Sequence, residues 1–271
     1  MLVAVRSFAD IVQSNVQHYH RTLRMARVEL RKQYSGSSLG FLWALVRPSL
    51  FIAVFWFAVA VGLRGNRFFG DVPYLFWLLP GIVAWFFVSD ALNNGGSSIR
   101  RNSHLVTRVV YPVSTIPVFS VLALFFIHLL LLLLIIGIFV ASGWGLHVYF
   151  LQLPYYIACA LAFGLVAATL ISTLGAVSKD AAHLVRAIMT LLFWLTPIIW
   201  PLESLEGTLK QVIMLNPITY IIQGYRNSFV LEEWFFDQWE YTLYFWGFMV
   251  VFTLFTSFLF GKLKSEFADI L

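Results

Sequence analysis

The sequence has 271 residues, of which 60% are hydrophobic, 18% aromatic and only 11% charged. Soluble domains have about 25% charged residues, so this chain has too few charges to cover a water-facing surface. Asp, Glu, Lys and Arg are absent from Val109 to Ser178, and the mean hydropathy is +0.83. These features exclude a soluble globular protein, a disordered chain and a disulfide scaffold, and they predict a polytopic membrane protein.

The first predicted element is an amphipathic helix within residues 14–34. Apolar side chains recur at helical spacing and form one stripe, at Val16, Tyr19, Leu23, Ala26 and Leu30. Four cations project from the other side, namely Arg21, Arg24, Arg31 and Lys32. Such a helix is typical of a membrane interface, with its cations near anionic lipid. The alternative is a cytoplasmic segment that packs on the protein itself.

The following apolar stretches are continuous rather than alternating, which indicates transmembrane helices and not a β-barrel. Because each crossing needs about 20 residues, we predict an all-α polytopic fold with six transmembrane helices. These are Leu39–Leu63, Pro73–Asn93, Pro112–Ala141, Leu153–Val177, Leu184–Trp200 and Tyr241–Phe260. Residues 1–38 then form a cytoplasmic N-terminal region, 39–260 the membrane domain and 261–271 a cytoplasmic tail. Pro48, Pro80 and Pro197 are expected to kink or break their helices.

Two segments between the transmembrane helices have distinctive sequences. Gly95–Tyr111 is basic, and Ser97 or Ser98 is placed to cap a short helix. This segment is either an ordinary positively charged loop or a helix that docks on a cytoplasmic partner.

Pro201–Glu240 is too apolar for a plain loop, and Pro217 divides it into two helices too short to cross the membrane. We predict that these two helices re-enter the membrane part-way and pack against other helices.

The orientation follows from the distribution of Lys and Arg. With a cytoplasmic N-terminus, only four of the 18 basic residues lie outside, namely Arg64, Arg67, Lys210 and Arg226. Both termini are therefore predicted to be cytoplasmic.

Polar and aromatic residues within the predicted spans mark candidate pathway positions. Asp90 either faces a polar pathway or pairs with Arg47, and the pair is the favoured prediction. His128 is expected to be a satisfied core group or to hydrogen-bond between helices, and a role in the pathway is the alternative. Aromatic rings stack on the apolar faces of sugars, so the aromatic candidates for lining a pathway are Phe55, Trp56, Trp85, Phe86 and Phe87. Asp90 is the polar candidate.

Motifs for catalysis and nucleotide binding are missing from the sequence. There is no GxxxxGK[ST] phosphate loop, no glycine-rich dinucleotide turn, no HExxH and no paired acidic motif for a metal. His18 and His20 have no third ligand nearby in the sequence. We therefore expect no catalytic residues, no metal and no cofactor on this chain.

Four segments in order resemble the membrane subunit of type-2 ABC exporters for cell-surface polysaccharides, a group that includes O-antigen, capsule and teichoic acid exporters. They are YSGSSLGFLWALVRPSL (Tyr34–Leu50), LLPGIVAWFFVSDAL (Leu78–Leu92), RRNSHLVTRVVYPVSTIPVFSVL (Arg100–Leu122) and LNPITYIIQGYRNSF (Leu215–Phe229). The resemblance covers nearly the whole chain. One departure is Arg47-Pro48, where members of this group commonly have Asn-Pro.

The resemblance implies a permease in the bacterial plasma (inner) membrane that works as a homodimer with two copies of a cytoplasmic ATPase. ATP and Mg²⁺ would then bind to that partner and not to this chain. The implied substrate is a polysaccharide on a polyprenyl diphosphate carrier; membrane lipid is a further partner, and nucleic acid is not expected.

The resemblance also implies roles for particular residues. A coupling helix that docks on the ATPase would include Arg100, Arg101, Asn102, His104 and Arg108. The substrate entrance and lipid headgroup would be near Arg21, Arg24, Arg31, Lys32 and Arg47. An outer gate of two re-entrant helices would include Asn216, Pro217, Tyr220 and Tyr225.

Three alternatives remain open at this stage. The same architecture could export teichoic acid or another glycolipid. A membrane-embedded polyprenyl-phosphate transferase is less favoured, because the cytoplasmic acidic residues are scattered. A channel or secondary transporter would place more ionisable groups in mid-membrane than Asp90 and His128.

Overall fold

A computed structural model describes residues 2–58, 68–69, 72–107, 111–145 and 147–270. This part is almost entirely helical, apart from a two-residue antiparallel pairing of β1 (Phe68–Phe69) with β2 (Val72–Pro73). Within it, five helical stretches are long and apolar enough to cross a bilayer. The prediction of an all-α polytopic fold is confirmed.

The helices are α1 (Leu2–Gln17), α2 (Tyr19–Tyr34), α3 (Trp43–Phe57), α4 (Tyr74–Asp90), α5 (Ser98–Arg101), α6 (Ser103–Thr107), α7 (Thr115–Ala141), α8 (Leu153–Val177), α9 (Lys179–Leu195), α10 (Gly207–Met214), α11 (Pro217–Arg226), α12 (Trp239–Leu263) and α13 (Phe267–Ile270). The five long stretches are Gly40–Phe57, Tyr74–Gly95, Thr115–Ala141, Val148–Val177 and Trp239–Glu266.

The N-terminal region forms two helices rather than one, with a break at His18. Helix α1 packs along α12, and α2 packs along α7. On α2 the buried residues are Thr22 and Ala26, whereas Val16, Tyr19 and Leu23 are exposed. Only part of the predicted apolar stripe therefore faces the protein, and the rest is free to contact lipid. The alternative of packing on the protein itself is thus partly correct.

The predicted spans agree well with the helices where both are described. Helix α8 begins and ends at the predicted residues, and α4 continues through a π-helical turn at Ala91–Gly95. Pro48 and Pro80 lie inside α3 and α4. Pro80 is buried among neighbouring helices, whereas most of α3 around Pro48 is exposed. The predicted end of the first span, Leu63, lies outside the described residues.

The predicted fifth span corresponds to α9, which ends at Leu195 instead of Trp200. At 1.5 Å per residue this helix is about 25 Å long, which is short of a hydrocarbon core of about 30 Å. Thr196 is extended and Pro197 follows it, so the helix cannot continue. The total of six transmembrane helices stays a prediction.

The irregular backbone after α9 has its carbonyl groups bonded by side chains from distant helices. Arg226, the last residue of α11, donates from Nη1 to the Pro197 carbonyl and from Nη2 to the Ile198 carbonyl, each at 2.5 Å. The Tyr74 hydroxyl donates to the Ile199 carbonyl at 3.1 Å. Non-helical backbone at membrane depth requires such partners, because lipid offers none.

The Arg226 guanidinium is completely buried. Its Nε donates to the Trp77 carbonyl at 3.3 Å, and Nη1 also donates to Gln223 Oε1 at 3.0 Å. The guanidinium carbon lies 3.5 Å from the centroid of a Trp77 ring, a cation–π contact. Carbonyl dipoles and an aromatic face surround this cation, and they join α4, α11 and the end of α9.

Two glycines allow α11 to approach its neighbours closely. A Cβ on Gly81 of α4 would lie 2.9 Å from Arg226 Nη2, and a Cβ on Gly224 of α11 would lie 2.0 Å from the Tyr156 ring of α8. Larger residues at these positions would displace the guanidinium or the ring. Helix α11 is accordingly buried from Ile218 to Arg226.

We predict that Arg226→Met lowers the free energy of unfolding by about 3 kcal/mol or more, because it leaves several buried carbonyls without donors. Arg226→Lys keeps the charge but cannot reproduce the planar fork, so it is expected to fall between the wild type and Arg226→Met. Thermal unfolding in detergent gives the melting temperatures of both variants and of the wild type. The control is Lys262→Met, which removes an exposed cation; equal melting temperatures for all four proteins would contradict the prediction.

Candidate coupling, entrance and gate sites

The basic segment Gly95–Tyr111, predicted to contain the docking helix, includes two short helices, α5 and α6. Ser97 occupies the cap position of α5, but its hydroxyl donates to the Asn94 carbonyl at 3.1 Å. Neither Ser97 nor Ser98 makes the predicted side-chain cap. The Ser97 hydroxyl is therefore bonded to the turn before α5 and does not cap the helix.

Arg100 binds the end of another helix instead of projecting from the segment. Its Nε donates to the Gly175 carbonyl at 2.8 Å and its Nη2 to the Ala176 carbonyl at 3.0 Å. The last carbonyls of an α-helix have no partner within the helix, and a cation at this end interacts favourably with the helix dipole. Arg100 thus caps α8 and fixes the segment to it.

Arg101 attaches the same segment to α2. Its Nη2 and Nε lie 2.7 Å and 3.1 Å from Glu29 Oε1, and its Nη1 donates to the Asn94 carbonyl at 3.1 Å. Asn102 is buried and donates to the Ser98 carbonyl at 3.0 Å. Both side chains therefore hold the segment in place from within the chain.

The remaining two predicted coupling residues differ in position. His104 is exposed on α6 and is available to a partner protein. Arg108 lies outside the described residues. Within the described part, the exposed residues of α5 and α6 are Arg101, His104 and Thr107.

The cations predicted at the substrate entrance fall into two groups. Four of them are exposed on α2, away from its buried residues, namely Arg21, Arg24, Arg31 and Lys32. Arg47 lies apart from these, on α3. It lines a cavity of about 290 Å³ between α2, α3, α4 and α7.

Arg47 and Asp90 share this cavity without forming the favoured ion pair. Among the described residues, Asp90 Oδ1 accepts a hydrogen bond from Asn94 at 3.3 Å, and no cation lies within 4.0 Å of it. The Arg47 guanidinium is instead 5.7 Å from the centroid of a Trp43 ring. Burial and the charge of Asp90 both raise the pKa of the Tyr34 phenol, so Tyr34 lines the cavity as a neutral hydroxyl.

Some of the predicted pathway aromatics come together in an open groove of about 630 Å³ between α3, α4 and α9. Phe55 and Trp85 each contact Phe193, with ring centroids 5.7 Å apart in both cases. Phe86 lines the groove as well as the Arg47 cavity. The polar residues of the groove are Ser89, Asn93, Arg186 and Thr190.

The other two predicted aromatics lie elsewhere. Trp56 is 41% exposed on α3 and does not line the groove. Phe87 is buried, with its ring 4.9 Å from that of His128. Neighbouring residues on a helix point in different directions, so the runs FWF and WFF could not all face one surface.

The predicted break at Asn216 and Pro217 is present. The Asn216 side chain accepts a hydrogen bond from the Ile218 amide at 3.0 Å and donates to Thr196 Oγ1 at 3.0 Å. Pro217 is the first residue of α11, where its fixed φ is favourable and its missing amide costs nothing. The cap also links the start of α11 to the irregular backbone after α9.

The two predicted gate tyrosines bind other helices. The Tyr220 hydroxyl lies 2.9 Å from the Tyr155 hydroxyl of α8 and 2.9 Å from Thr242 Oγ1 of α12. The Tyr225 hydroxyl lies 2.7 Å from His128 Nε2 of α7. The prediction that His128 bonds between helices is confirmed.

Arg226 is the functional candidate that the sequence reasoning assigned wrongly, as an ordinary outside cation. A signal for it was present, because it follows the apolar run ITYII within a segment predicted to be membrane-embedded. Ionisable residues in such segments are rare and are usually paired. Its partners could not be identified from the sequence, because they are backbone carbonyls far along the chain.

Comparison with known proteins identifies the family. The sequence profile of the ABC-2 type transporter family matches residues 21–230. The chain belongs to this family. As an ABC-2 family member it is a transport membrane subunit.

Several curated relatives resemble this ABC-2 transporter along most of their length. The O-antigen export system permease protein RfbA of Myxococcus xanthus is 26% identical over 81% of this chain and 84% of its own. A protein of the same name from Klebsiella pneumoniae is 26% identical over 90% and 92%. The polysialic acid transport protein KpsM of Escherichia coli is 22% identical over 74% and 77%.

We predict that Arg100→Ala frays the last turn of α8, because the carbonyls of Gly175 and Ala176 lose their donor. Amide hydrogen exchange in residues 174–178 should rise about tenfold, as followed by mass spectrometry. Arg186→Ala is the control, since Arg186 bonds only within α9 among the described residues. Unchanged exchange in Arg100→Ala would show that the cap does not hold this end.

Proposed function

We propose that this chain is the transmembrane subunit of an ATP-driven exporter that moves a lipid-linked polysaccharide out of the cytoplasm across a bacterial plasma membrane. The observation that carries the proposal is the aromatic groove between α3, α4 and α9. The likeness to O-antigen export permeases over most of the chain supports it.

The chemistry of the groove suits a sugar polymer. Rings such as Phe55 and Trp85 offer flat apolar faces to the C–H faces of pyranoses, while Ser89, Asn93 and Thr190 offer hydrogen bonds to hydroxyl groups. Stacking of this kind tolerates a change of sugar unit in the bound polysaccharide, because each sugar ring presents a similar apolar face. A polymer can therefore advance along the groove without being fixed at one position.

The cationic residues suit the diphosphate end of a carrier lipid. Exposed Arg21, Arg24, Arg31 and Lys32 on α2 would attract anionic headgroups to this edge of the protein. Arg47 lines the neighbouring cavity, where a phosphate could replace the aromatic contact with Trp43. This arrangement supports a route from the membrane surface, past α2, to the groove beside Phe86.

The energy source in this proposal is a separate ATPase, present in two copies, which binds ATP and Mg²⁺. It would dock on the exposed face of α6 around His104, and Arg100 and Arg101 would pass its movement to α8 and α2. A second copy of this chain would complete the pathway. The exposed apolar faces of α3 and α9 provide surface for that copy and for lipid.

The outer end of the pathway would be closed by α10 and α11. Helix α11 is buried and bound to α4, α7, α8 and α12 through Arg226, Tyr225 and Tyr220. Opening would require these bonds to rearrange, and closing would restore them. Asn216 and Pro217 mark the hinge between the two helices.

We predict that Phe55→Ala reduces ATP-dependent polymer export by about threefold to tenfold, as expected for one lost aromatic stacking contact. The ATPase activity of the assembled complex should stay within twofold of the wild type. The matched control is Trp56→Ala on the neighbouring position outside the groove, for which export should be unchanged. A larger loss in Trp56→Ala than in Phe55→Ala would reject the groove as the pathway.

The orientation is tested by cysteine labelling in cells, with buried Cys159 replaced by serine. Glu232→Cys should react with an impermeant thiol reagent added outside, and Ser265→Cys should react only after the membrane is made permeable. The reverse pattern would overturn the cytoplasmic placement of both termini.

A further inference from the structure

A polar cavity of about 680 Å³ lies beside α10, α11 and the first residues of α12. It is at the opposite end of α12 from Lys264, and therefore far from the segment containing α5 and α6. Gln223, in the last turn of α11, and Asn227, just after that helix, are among the residues that line it. In the proposed orientation this is the outer end of the transport pathway.

One enclosed polar group lines this cavity without a hydrogen-bond partner in the described part of the chain. It is the hydroxyl of Tyr241, a residue that is 8% exposed. Asn227, which is 3% exposed, also lines the cavity. Since buried polar groups are nearly always paired in folded proteins, the unpaired hydroxyl points to a ligand that bears hydrogen-bonding groups.

The charge of the cavity limits what this ligand can be. Four carboxylates line it, from Glu203, Glu233, Asp237 and Glu240, against a single cation, Lys210. A polyanionic ligand would meet like charge. The described residues include no cluster of His, Cys, Asp and Glu arranged to hold a metal ion.

The remaining groups have the chemistry of carbohydrate recognition. Carboxylates and the amides of Gln223 and Gln238 accept and donate hydrogen bonds to hydroxyl groups. Trp239, which is 62% exposed at this cavity, presents an indole face to the apolar side of a sugar ring. A site of this kind combines a few convergent polar groups with an aromatic surface.

We propose that this cavity is a saccharide-binding site that takes an uncharged unit of the transported glycan and disfavours polyanionic chains. This inference rests on the proposed export function and narrows its substrate to a neutral polysaccharide. The bound sugar would also contact the gate, because Gln223 Nε2 lies 3.4 Å from Glu203 Oε1 while its Oε1 accepts from Arg226. Occupancy of the site is thereby linked to the bonds that hold α11.

The test uses the purified permease–ATPase complex in nanodiscs and isothermal calorimetry. The probes are uncharged gluco-, manno- and galacto-configured hexasaccharides, with hexasialic acid as the anionic probe of equal length. At least one neutral probe should bind with a Kd tenfold or more below that of hexasialic acid at low salt. Asn227→Ala and Trp239→Ala should each raise the Kd for the neutral probe at least threefold.

A charge variant and its control test the selectivity separately. The double variant Glu203→Gln, Glu240→Gln should lower the Kd for hexasialic acid at least threefold, whereas Glu206→Gln, an exposed carboxylate outside the cavity, should leave it unchanged. Equal affinity of the wild type for neutral and anionic probes, or no binding of any neutral probe, would overturn the proposal. If one of these results is found while the wild-type complex still exports polymer with ATP, the saccharide site alone is rejected. If the wild-type complex exports no polymer, the proposed function is rejected.

Discussion

The buried guanidinium of Arg226 is the interaction on which the arrangement of the helices depends. Helix α9 stops short of a full crossing because Thr196 and Pro197 cannot continue it. The carbonyls released there would be unsatisfied in lipid, and Arg226 binds two of them. The same side chain binds the carbonyl and ring of Trp77. One cation thus makes the broken span compatible with a membrane and fixes α11 in the bundle.

Helix α8 connects this assembly with the opposite end of the molecule. Arg100 binds its last carbonyls, while Tyr155 and Tyr156 near its beginning contact Tyr220 and the position of Gly224 on α11. The helix has 25 residues and is therefore about 37 Å long. A displacement of α5 and α6 at one end can reach α11 at the other through a single rigid element. In the proposed mechanism, α8 therefore transmits the movement of the ATPase to the gate.

The groove and the two cavities give the proposed pathway a sequence of chemical environments. Cations on α2 and Arg47 suit phosphate near one membrane surface, and aromatic rings between α3, α4 and α9 suit sugar faces within it. At the far end, carboxylates and amides suit hydroxyl groups. The charge along this route changes from positive to negative, which favours a substrate with an anionic lipid end and a neutral chain.

Local patterns in the sequence were sufficient for most elements. Continuous apolar stretches located α8 to the residue, and Asn216-Pro217 marked the start of α11, because hydrophobicity and capping act within a few residues. The predicted ion pair between Arg47 and Asp90 is not formed within 4.0 Å in the described part of the chain; Asn94 donates to Asp90, and the Arg47 guanidinium faces a Trp43 ring. The roles of Arg100 and Arg226 depend on carbonyls 75 and about 28 residues away along the chain, and no local pattern encodes such distances.

If α11 is a closed outer gate held by Arg226, a cysteine on its buried face will react slowly until the gate opens. Ile222→Cys, at a fully buried position, is placed in a protein whose Cys159 is replaced by serine. The complex with its ATPase in nanodiscs is treated with a water-soluble maleimide, and Leu209→Cys at an exposed position of α10 is the reference. We expect Ile222→Cys to be labelled at least tenfold more slowly than Leu209→Cys without ATP, and to be labelled faster during ATP turnover. Equally rapid labelling of both positions without ATP would show that α11 is not a closed gate.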